Sequence, residues 1–303
     1  MGRIADEHPT VALTDERFET APGVELAVRR WSGTDARGDR AVTAPPPFLL
    51  VHGLASNART WDGVAGILAL AGHSVAAVDL RGHGRSSKPD DGYDFTTVTD
   101  DLRALVDGLG MDRPIAMGQS WGGNLVVELG HRFPSAVRSV VGVDGGLIEL
   151  SERFPDWDEC ARLLAPPRLV GTPVAAIEAH LRSAHPDWPE SGIAGTLGNF
   201  EVRADGTVAP WLTFERHMRI LRALWEHRPS GRLVDYPLPL LLVSADGEDE
   251  MAAAKRRAAE RAAAASPRFR SIWFPGADHD IHAQLPDELA RVVLAAVADG
   301  FLA

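Results

Sequence analysis

The feature that most constrains the fold is an alternation of short apolar runs with helical stretches, which begins near residue 47. Runs this short and this apolar are typical of buried parallel strands rather than of helices. A repeated β-then-α order predicts a mostly parallel, doubly wound sheet with helices on both faces. The predicted strands are 48–51, 75–80, 115–118 and 137–143, and the predicted helices between them are 59–71, 97–109 and 122–133.

The segments on either side of this region are expected to extend the same sheet. Residues 16–31 predict an antiparallel hairpin that turns at Pro22-Gly23, followed by a charged loop that contains glycine. The strand pattern returns late in the chain, which brings the expected total to about eight strands. The late strands are expected at 238–243 and 269–274, and the late helices at 250–265 and 287–298.

Between residues 146 and 235 the alternation stops, and helix-like stretches with several prolines and four tryptophans take its place. A long insertion of this kind in an α/β chain indicates a separate unit laid over the sheet. We therefore expect a core made of residues 1–145 and 236–303, and a helical cap made of residues 146–235. Within the cap, helices are expected at 158–165, 173–184 and 212–227.

Composition excludes several classes of protein. A formal net charge of −11 opposes binding to nucleic acid or to anionic membrane surfaces, both of which require a basic face. Cys160 is the only cysteine, so neither an intrachain disulfide nor a cysteine-based zinc site is expected. Residues 1–30 show neither a signal peptide nor a membrane span. The sequence predicts a cytoplasmic protein that acts on a small molecule, and it does not indicate the oligomeric state.

Ser120 lies between a predicted buried strand and a predicted helix, in the sequence Gly118-Gln119-Ser120-Trp121-Gly122-Gly123. Glycines around a serine at such a junction permit a strained turn that lifts the hydroxyl above the carboxyl edge of the sheet. A serine held in this way is a candidate nucleophile. The alternative is a purely structural turn, because the Gly-x-Ser-x-Gly pattern also arises by chance.

Three further motifs accompany this one. They are His52-Gly53-Leu54 after the first core strand, the run from Asp79 to Ser86 after the next strand, and a histidine motif around His279 near the C terminus. With these four motifs the chain resembles the α/β-hydrolase superfamily from Phe48 to Ala298, the cap being the divergent part. The resemblance implies a Ser-His-Asp triad with the chain order Ser, Asp, His.

An ester carbonyl under attack develops an oxyanion, which preorganised backbone N–H groups stabilise. By the resemblance and the geometry of the turn, these donors are expected to be the amides of Leu54 and Trp121. Histidine is the side chain whose ordinary pKa suits a general base for serine. His279 is the expected base, and His282 matches the second, non-catalytic histidine of the family. The alternatives are His282 as base or a two-histidine metal site.

The sequence leaves the triad acid open. The acid must fix the tautomer of the imidazole, and families of this fold place it after either of two strands. Asp246 is the first choice, although it lies one residue short of the usual spacing. Asp144, at the end of the preceding strand, and Asp249 are the alternatives. An aspartate at such a position is also a common helix cap.

Trp61, His282 and the cap tryptophans are candidates for an apolar substrate pocket, although aromatic residues in such segments are more often plain core. The turn Arg81-Gly82-His83-Gly84 lacks the pattern of a phosphate-binding loop. We therefore expect no cofactor and no metal. The predicted activity is hydrolysis of a small carboxylic ester or lactone through an acyl-enzyme. The alternatives are carbon–carbon bond hydrolysis or cofactor-free haloperoxidase or perhydrolase chemistry on the same residues, and a non-catalytic receptor of the same fold.

Overall fold

The computed structural model describes residues 11–32 and 44–303. The loop predicted after Trp31 and part of the N-terminal segment lie outside these residues. The described chain contains ten strands, of which eight form the main sheet. They are β1 (Ala12–Ala21), β2 (Val24–Ser32), β3 (Phe48–Val51), β4 (Val75–Val78), β5 (Ile115–Gln119), β6 (Ser139–Val143), β7 (Phe200–Val202), β8 (Val208–Pro210), β9 (Leu240–Asp246) and β10 (Phe269–Pro275).

Eleven α-helices are found in the described residues, most of them in the connections between strands. They are α1 (Asp62–Leu70), α2 (Phe95–Gly108), α3 (Trp121–Arg132), α4 (Leu150–Arg153), α5 (Trp157–Leu164), α6 (Val174–Ala184), α7 (Glu190–Leu197), α8 (Phe214–Glu226), α9 (Glu250–Ala265), α10 (Ile281–Gln284) and α11 (Pro286–Ala298).

The main sheet has the strand order β1-β2-β4-β3-β5-β6-β9-β10. β1 and β2 form an antiparallel hairpin, and β2 pairs with β4 in the antiparallel sense. From β4 to β10 every pair is parallel. The carboxyl ends of β3, β5, β6 and β9 therefore meet at one edge of the sheet, which is where ligands bind in open α/β folds.

The strands form where the sequence is apolar because both faces of the sheet are covered. All residues of β3, β4, β5 and β6 are buried. Side chains that alternate along each strand feed two separate cores, one under α2 and α3 and the other under α1 and α11. Strands buried on both faces read as continuous apolar runs, which explains why the sequence pattern located them.

The predicted fold class is confirmed: the main sheet has eight strands and is mostly parallel, with helices on both faces. Between β6 and β9 the chain leaves the sheet and forms α4 to α8 and the two-stranded sheet of β7 and β8. The helices expected at 158–165, 173–184 and 212–227 correspond to α5, α6 and α8. The sequence analysis missed α4, α7 and the β7–β8 pair.

Candidate active site

Ser120 occupies a strained turn between β5 and α3. Its backbone angles are φ 52° and ψ −120°, a region that residues with a side chain rarely adopt. The amide of Ser120 donates to the carbonyl of Val143 over 3.0 Å, which fixes the turn against the end of β6. Strain of this kind persists only where the surroundings impose it, and it is often found at functional sites.

The two glycines around the turn allow the close packing that imposes this conformation. A Cβ on Gly118 would lie 2.1 Å from the carbonyl oxygen of Gly122, and a Cβ on Gly122 would lie 2.4 Å from the carbonyl oxygen of His52. Any side chain at either position would therefore push the start of α3 away from β5 or β3.

The loop after β3 lies directly against Ser120. A Cβ built on Gly53 would be 3.2 Å from Cβ of Ser120. The ring of His52 fixes this loop, because its Nε2 accepts from the amide of Leu80 at 3.0 Å. Leu54 follows Gly53 in this loop, and Trp121 follows Ser120 at the start of α3. Amides in the first turn of a helix have no intrahelical acceptor and can donate to a ligand.

His279 and Asp144 form the central contact of the site. Nδ1 of His279 lies 2.6 Å from Oδ2 of Asp144. An ionised carboxylate can only accept hydrogen bonds, so Nδ1 carries the proton and donates it to this contact. Nε2 is then left without a proton, which is the tautomer that a general base needs. The Asp144 side chain is fully buried, whereas that of His279 is half-exposed.

The first choice for the acid, Asp246, does not contact His279. Asp246 ends β9, and both of its oxygens accept from Nη2 of Arg256, at 2.5 and 2.6 Å. Asp249 caps α9 by accepting from the amide of Ala252. The geometry therefore favours Asp144, the alternative acid, over Asp246. The physical reason is that the carboxylate of Asp144 is hydrogen-bonded to His279, whereas that of Asp246 is paired with Arg256.

The pair shifts the pKa of both partners. Burial favours the neutral imidazole of His279, but the hydrogen bond to Asp144 and the negative charges of Asp280 and Asp144 outweigh it, so the pKa of His279 is raised. Burial likewise opposes the charge on Asp144, yet the contacts with His279 and Lys255 outweigh it and lower the pKa of Asp144. Asp144 is therefore a stable carboxylate at neutral pH.

Two residues that the sequence analysis did not assign also contact this pair. Nζ of Lys255, on α9, lies 2.7 and 2.8 Å from the two oxygens of Asp144. Nε2 of Gln119 donates to the carbonyl oxygen of His279 at 3.2 Å and so ties the histidine loop to the residue before Ser120. No pattern in the sequence indicates Lys255, whereas Gln119 lies inside the serine motif.

Trp61 and His282 come together in the interior rather than on an open surface. Their ring centroids are 4.4 Å apart, and both side chains are almost completely buried. Burial, with the nearby charges of His279 and His52, lowers the pKa of His282 to about 3. Neither ring nitrogen of His282 has a hydrogen-bond partner among the described residues. A substrate-binding role for either residue stays a prediction.

The motif from Asp79 to Ser86 has a structural role in the fold. Asp79 accepts from the amides of Ala58 and Arg85, at 2.7 and 2.8 Å, and so joins the loops after β3 and β4. Arg81 forms a buried ion pair with Asp101 on α2. These contacts give Asp79 and Arg81 structural roles. Residues 11–32 and 44–303 hold no cluster of three or more side chains suited to a metal ion.

A groove of about 510 Å³ lies at the same end of the sheet but away from Ser120. It runs between the β1–β2 hairpin, the loops after β3 and β4, and the β7–β8 pair. Acidic and basic side chains line it, including those of Glu16, Arg29, Arg85 and Glu201. Neither Ser120 nor His279 belongs to its described lining, so we do not assign the chemistry to this groove.

Comparisons with known proteins identify the family of this chain. The model of the alpha/beta hydrolase family matches residues 48–292, and the chain therefore belongs to this family. Among curated proteins, it is 28% identical over 250 residues to a 2-(acetamidomethylene)succinate hydrolase of Mesorhizobium japonicum, covering 82% of this chain and 86% of that protein. It is also 32% identical over 116 residues to a bifunctional esterase/perhydrolase of Acinetobacter calcoaceticus, covering 38% of this chain and 39% of that protein.

Solved structures show the same fold. A crystal structure of E-2-(acetamidomethylene)succinate hydrolase superposes with a TM-score of 0.78 at 23% identity, covering 95% of this chain and all of the other. The thioesterase domain of a curacin biosynthetic pathway superposes with a TM-score of 0.73 at 20% identity, over 93% of this chain and 99% of the other. Among the described helices, none combines the length and the hydropathy that a bilayer-spanning segment requires.

Proposed function

We propose that this hydrolase-family protein is a serine hydrolase that transfers an acyl group to water, with Ser120, His279 and Asp144 as its triad. The observation that carries the proposal is the 2.6 Å contact between Nδ1 of His279 and Asp144, at the same edge of the sheet as the strained turn of Ser120. This pair leaves Nε2 of the imidazole free to accept a proton. Asp246 has no part in this proposal, since Arg256 occupies its carboxylate.

The proposed reaction begins with attack of Oγ of Ser120 on the carbonyl carbon of the substrate, while Nε2 of His279 takes the hydroxyl proton. Among the described residues, no hydrogen bond joins Oγ of Ser120 to His279, whose ring bonds to Asp144. Such contacts often form only when substrate binds. The amides of Leu54 and Trp121 would stabilise the oxyanion. His279 then protonates the leaving group. In the second half, His279 takes a proton from water as the water oxygen attacks the acyl carbon, and it returns that proton to Oγ of Ser120 as the ester bond to the enzyme breaks.

The surroundings of Leu54 support a small apolar or aromatic substrate. Leu54 packs against an apolar cluster of the inserted segment that is built around three buried side chains, which are Phe154, Cys160 and Leu221. A substrate carbonyl bound at the amide of Leu54 would therefore carry its acyl group towards apolar side chains. We therefore propose that residues 146–235 form a cap over the site, and we expect carboxylic esters or lactones as substrates.

A second candidate is hydrolysis of an N-acyl group. The relative that shares 28% identity over 82% of this chain acts, by its name, on an acetamido compound. The same triad can cleave an amide if His279 protonates the departing nitrogen. Perhydrolysis would use the same residues, with hydrogen peroxide in place of water as the nucleophile, and is tested by adding peroxide to the ester assays.

The test is reaction with a fluorophosphonate probe, followed by assays of p-nitrophenyl acetate, butyrate and octanoate, a γ-lactone and an N-acetyl enamide. We expect the wild type to be labelled and Ser120→Ala to be neither labelled nor active. Failure of the folded wild type to label or to turn over any of these compounds would contradict the hydrolase proposal and favour a receptor of the same fold. Preference for the enamide over the esters would select the second candidate.

A further inference from the structure

Asp144 has an unusual partner for a carboxylate that also holds a histidine. Nζ of Lys255 lies 2.7 Å from Oδ1 and 2.8 Å from Oδ2 of the fully buried Asp144 side chain. The lysine side chain is only a quarter exposed, so water screens this pair less than a surface pair. The carboxylate that holds the imidazole of His279 therefore also carries a cationic side chain across both of its oxygens.

The remaining hydrogen bonds of Asp144 fix its orientation. Oδ1 also accepts from the amide of Ala245 at 2.9 Å, and Oδ2 accepts from His279. A carboxylate has about four lone-pair sites, and the four contacts from Ala245, Lys255 and His279 occupy them. Rotation of the carboxylate would break several of these contacts at once. Asp144 is consequently held in the plane that suits the imidazole.

Helix α9 supplies a cation to both carboxylates that could have served as the acid. Lys255 pairs with Asp144, and the next residue, Arg256, pairs with Asp246. The Arg256 pair is more exposed, with about half of the arginine side chain accessible. Neutral substitution of either residue removes one positive charge from the same helix, but only Lys255 contacts Asp144, the partner of His279. The two positions therefore offer a matched comparison.

We propose that Lys255 is a positioning residue that limits the basicity of His279 by partly neutralising Asp144. The inference rests on the proposed function, in which Asp144 stabilises the imidazolium that forms when Ser120 loses its proton. The positive charge of Lys255 beside the carboxylate weakens that stabilisation, because it repels the imidazolium of His279 and partly neutralises Asp144. Without Lys255, the imidazolium would gain the full charge of Asp144, and His279 would hold its proton to higher pH.

Other charged groups also face His279, and none of them replaces Lys255. Against the effect of burial, Asp144, at the end of β6, and Asp280, in the histidine loop, raise the pKa of His279, and Lys255 opposes them. His282 on α10 is close enough to His279 for that ring to lower its pKa, and His52 after β3 acts on His282. Asp278 and His185 act on Asp280. Among the largest influences on the pKa of His279 within the described residues, Lys255 is the cation.

The direct test is an NMR titration of the histidine Cε1–H signals, with the His279 signal assigned from its loss in His279→Gln. In Lys255→Met and in Lys255→Gln we expect the pKa of His279 to rise by about 0.5 to 1 unit. Lys255→Arg keeps the charge and should stay close to wild type. Arg256→Met, the matched control, should shift the pKa by less than about 0.2 unit. Circular dichroism confirms that each variant is folded.

The kinetic counterpart is the acid limb of kcat/KM against pH. Its midpoint should move to higher pH in Lys255→Met and Lys255→Gln and should stay at the wild-type pH in Lys255→Arg. Coincidence of the Lys255→Met and Lys255→Gln titrations with wild type, or an equal shift in Arg256→Met, would overturn the inference. The titration needs no turnover. A protein that never labels at Ser120 would refute the proposed function while the NMR result still decides the role of Lys255.

Discussion

The 2.6 Å contact between Asp144 at the end of β6 and His279 after β10 selects one of two carboxylates at this edge of the sheet. The other, Asp246, is paired with Arg256. If this contact orients the base, Asp144→Asn should reduce kcat/KM by about 10³-fold or more, because the amide supports the wrong tautomer. Asp246→Asn should change it by less than about 3-fold, since loss of an exposed ion pair has a small effect.

The measurement for this pair is the rate of p-nitrophenyl ester hydrolysis under kcat/KM conditions, with unfolding midpoints to confirm that both variants are folded. Similar losses in the two variants would contradict the assignment of Asp144. A large loss in Asp246→Asn alone would restore the first choice made from the sequence.

Activity should fall on acidification through protonation of His279. The base must be neutral to take the proton of Ser120, so the imidazolium is inactive. Although burial favours the neutral ring, Asp144 and Asp280 raise the pKa of His279 above its ordinary value of 6.5. The midpoint of the acid limb of kcat/KM should therefore lie above pH 6.5, and the profile should be flat between that limb and the alkaline range. An acid limb centred below pH 6 would contradict this ordering.

Gly53 lies so close to Gln119 that a side chain at residue 53 should disturb the loop that carries Leu54. A Cβ on Gly53 would lie 2.2 Å from Oε1 of Gln119, so Gly53→Ala must displace either the amide side chain or the loop. Removal of one oxyanion donor costs about 10²- to 10³-fold in kcat, and a displaced donor should cost about 10- to 100-fold. The effect should appear in kcat rather than in KM.

Gly66 provides the control for this substitution. It lies within α1, and nothing lies within 4 Å of a Cβ built there. Gly66→Ala should leave kcat unchanged and stabilise the protein by up to about 1 kcal/mol, because alanine is the better helix former. An unchanged kcat in Gly53→Ala would show that the loop accommodates the methyl group without moving Leu54.

The buried pair of Arg81 and Asp101 should be important for stability rather than for chemistry. Both side chains are at most 5% exposed, and Asp101 accepts from Nε and Nη2 of Arg81 at 2.5 and 2.8 Å. Asp101→Ala leaves a buried, unpaired guanidinium, which typically costs about 3 to 5 kcal/mol. Asp107→Ala removes an exposed pair with Arg103 on the same helix and should cost less than about 0.5 kcal/mol. Urea unfolding of both variants measures the difference, and equal midpoints would contradict it.

The sequence predicted the sheet well because buried parallel strands leave a continuous apolar signal, and it located Ser120 because a strained turn demands nearby glycines. It failed where structure depends on packing alone. Helix α7 contains Gly192 and Gly195, and glycine disfavours helices. Each of them packs against backbone: a Cβ built on Gly192 would lie 2.5 Å from the carbonyl oxygen of Ala283, and one on Gly195 would lie 2.7 Å from that of Arg59. Close approach, not propensity, explains this helix.

The sequence left the acid open, with Asp246 preferred over Asp144 and Asp249, for a related reason. Asp144 and Asp246 both lie at the ends of parallel strands, and their spacing along the chain does not reveal which carboxylate reaches the histidine loop. The sheet order does not reveal it either, because β9 is the direct neighbour of β10, from which that loop leaves. The side-chain contacts make the difference: Asp144 binds His279 and Lys255, whereas Asp246 binds Arg256. Lys255 was missed because it lies in an alanine- and arginine-rich helix that looks like a solvated face.

Glu128 should give the protein a pH-dependent stability. This α3 carboxylate is almost buried and accepts from Arg232 at 3.0 Å and from His227, at the end of α8. Burial raises its pKa, but the bonds to His227 and Arg232 prevail and lower the pKa to about 2 from an ordinary 4.5. A lowered carboxyl pKa stabilises the fold above the unfolded value, and the benefit disappears as pH falls from about 4.5 to 2. The linkage corresponds to on the order of 2 to 3 kcal/mol. Between pH 6 and pH 3, urea unfolding of wild type should therefore lose more free energy than that of Glu128→Gln, and parallel losses would contradict the linkage.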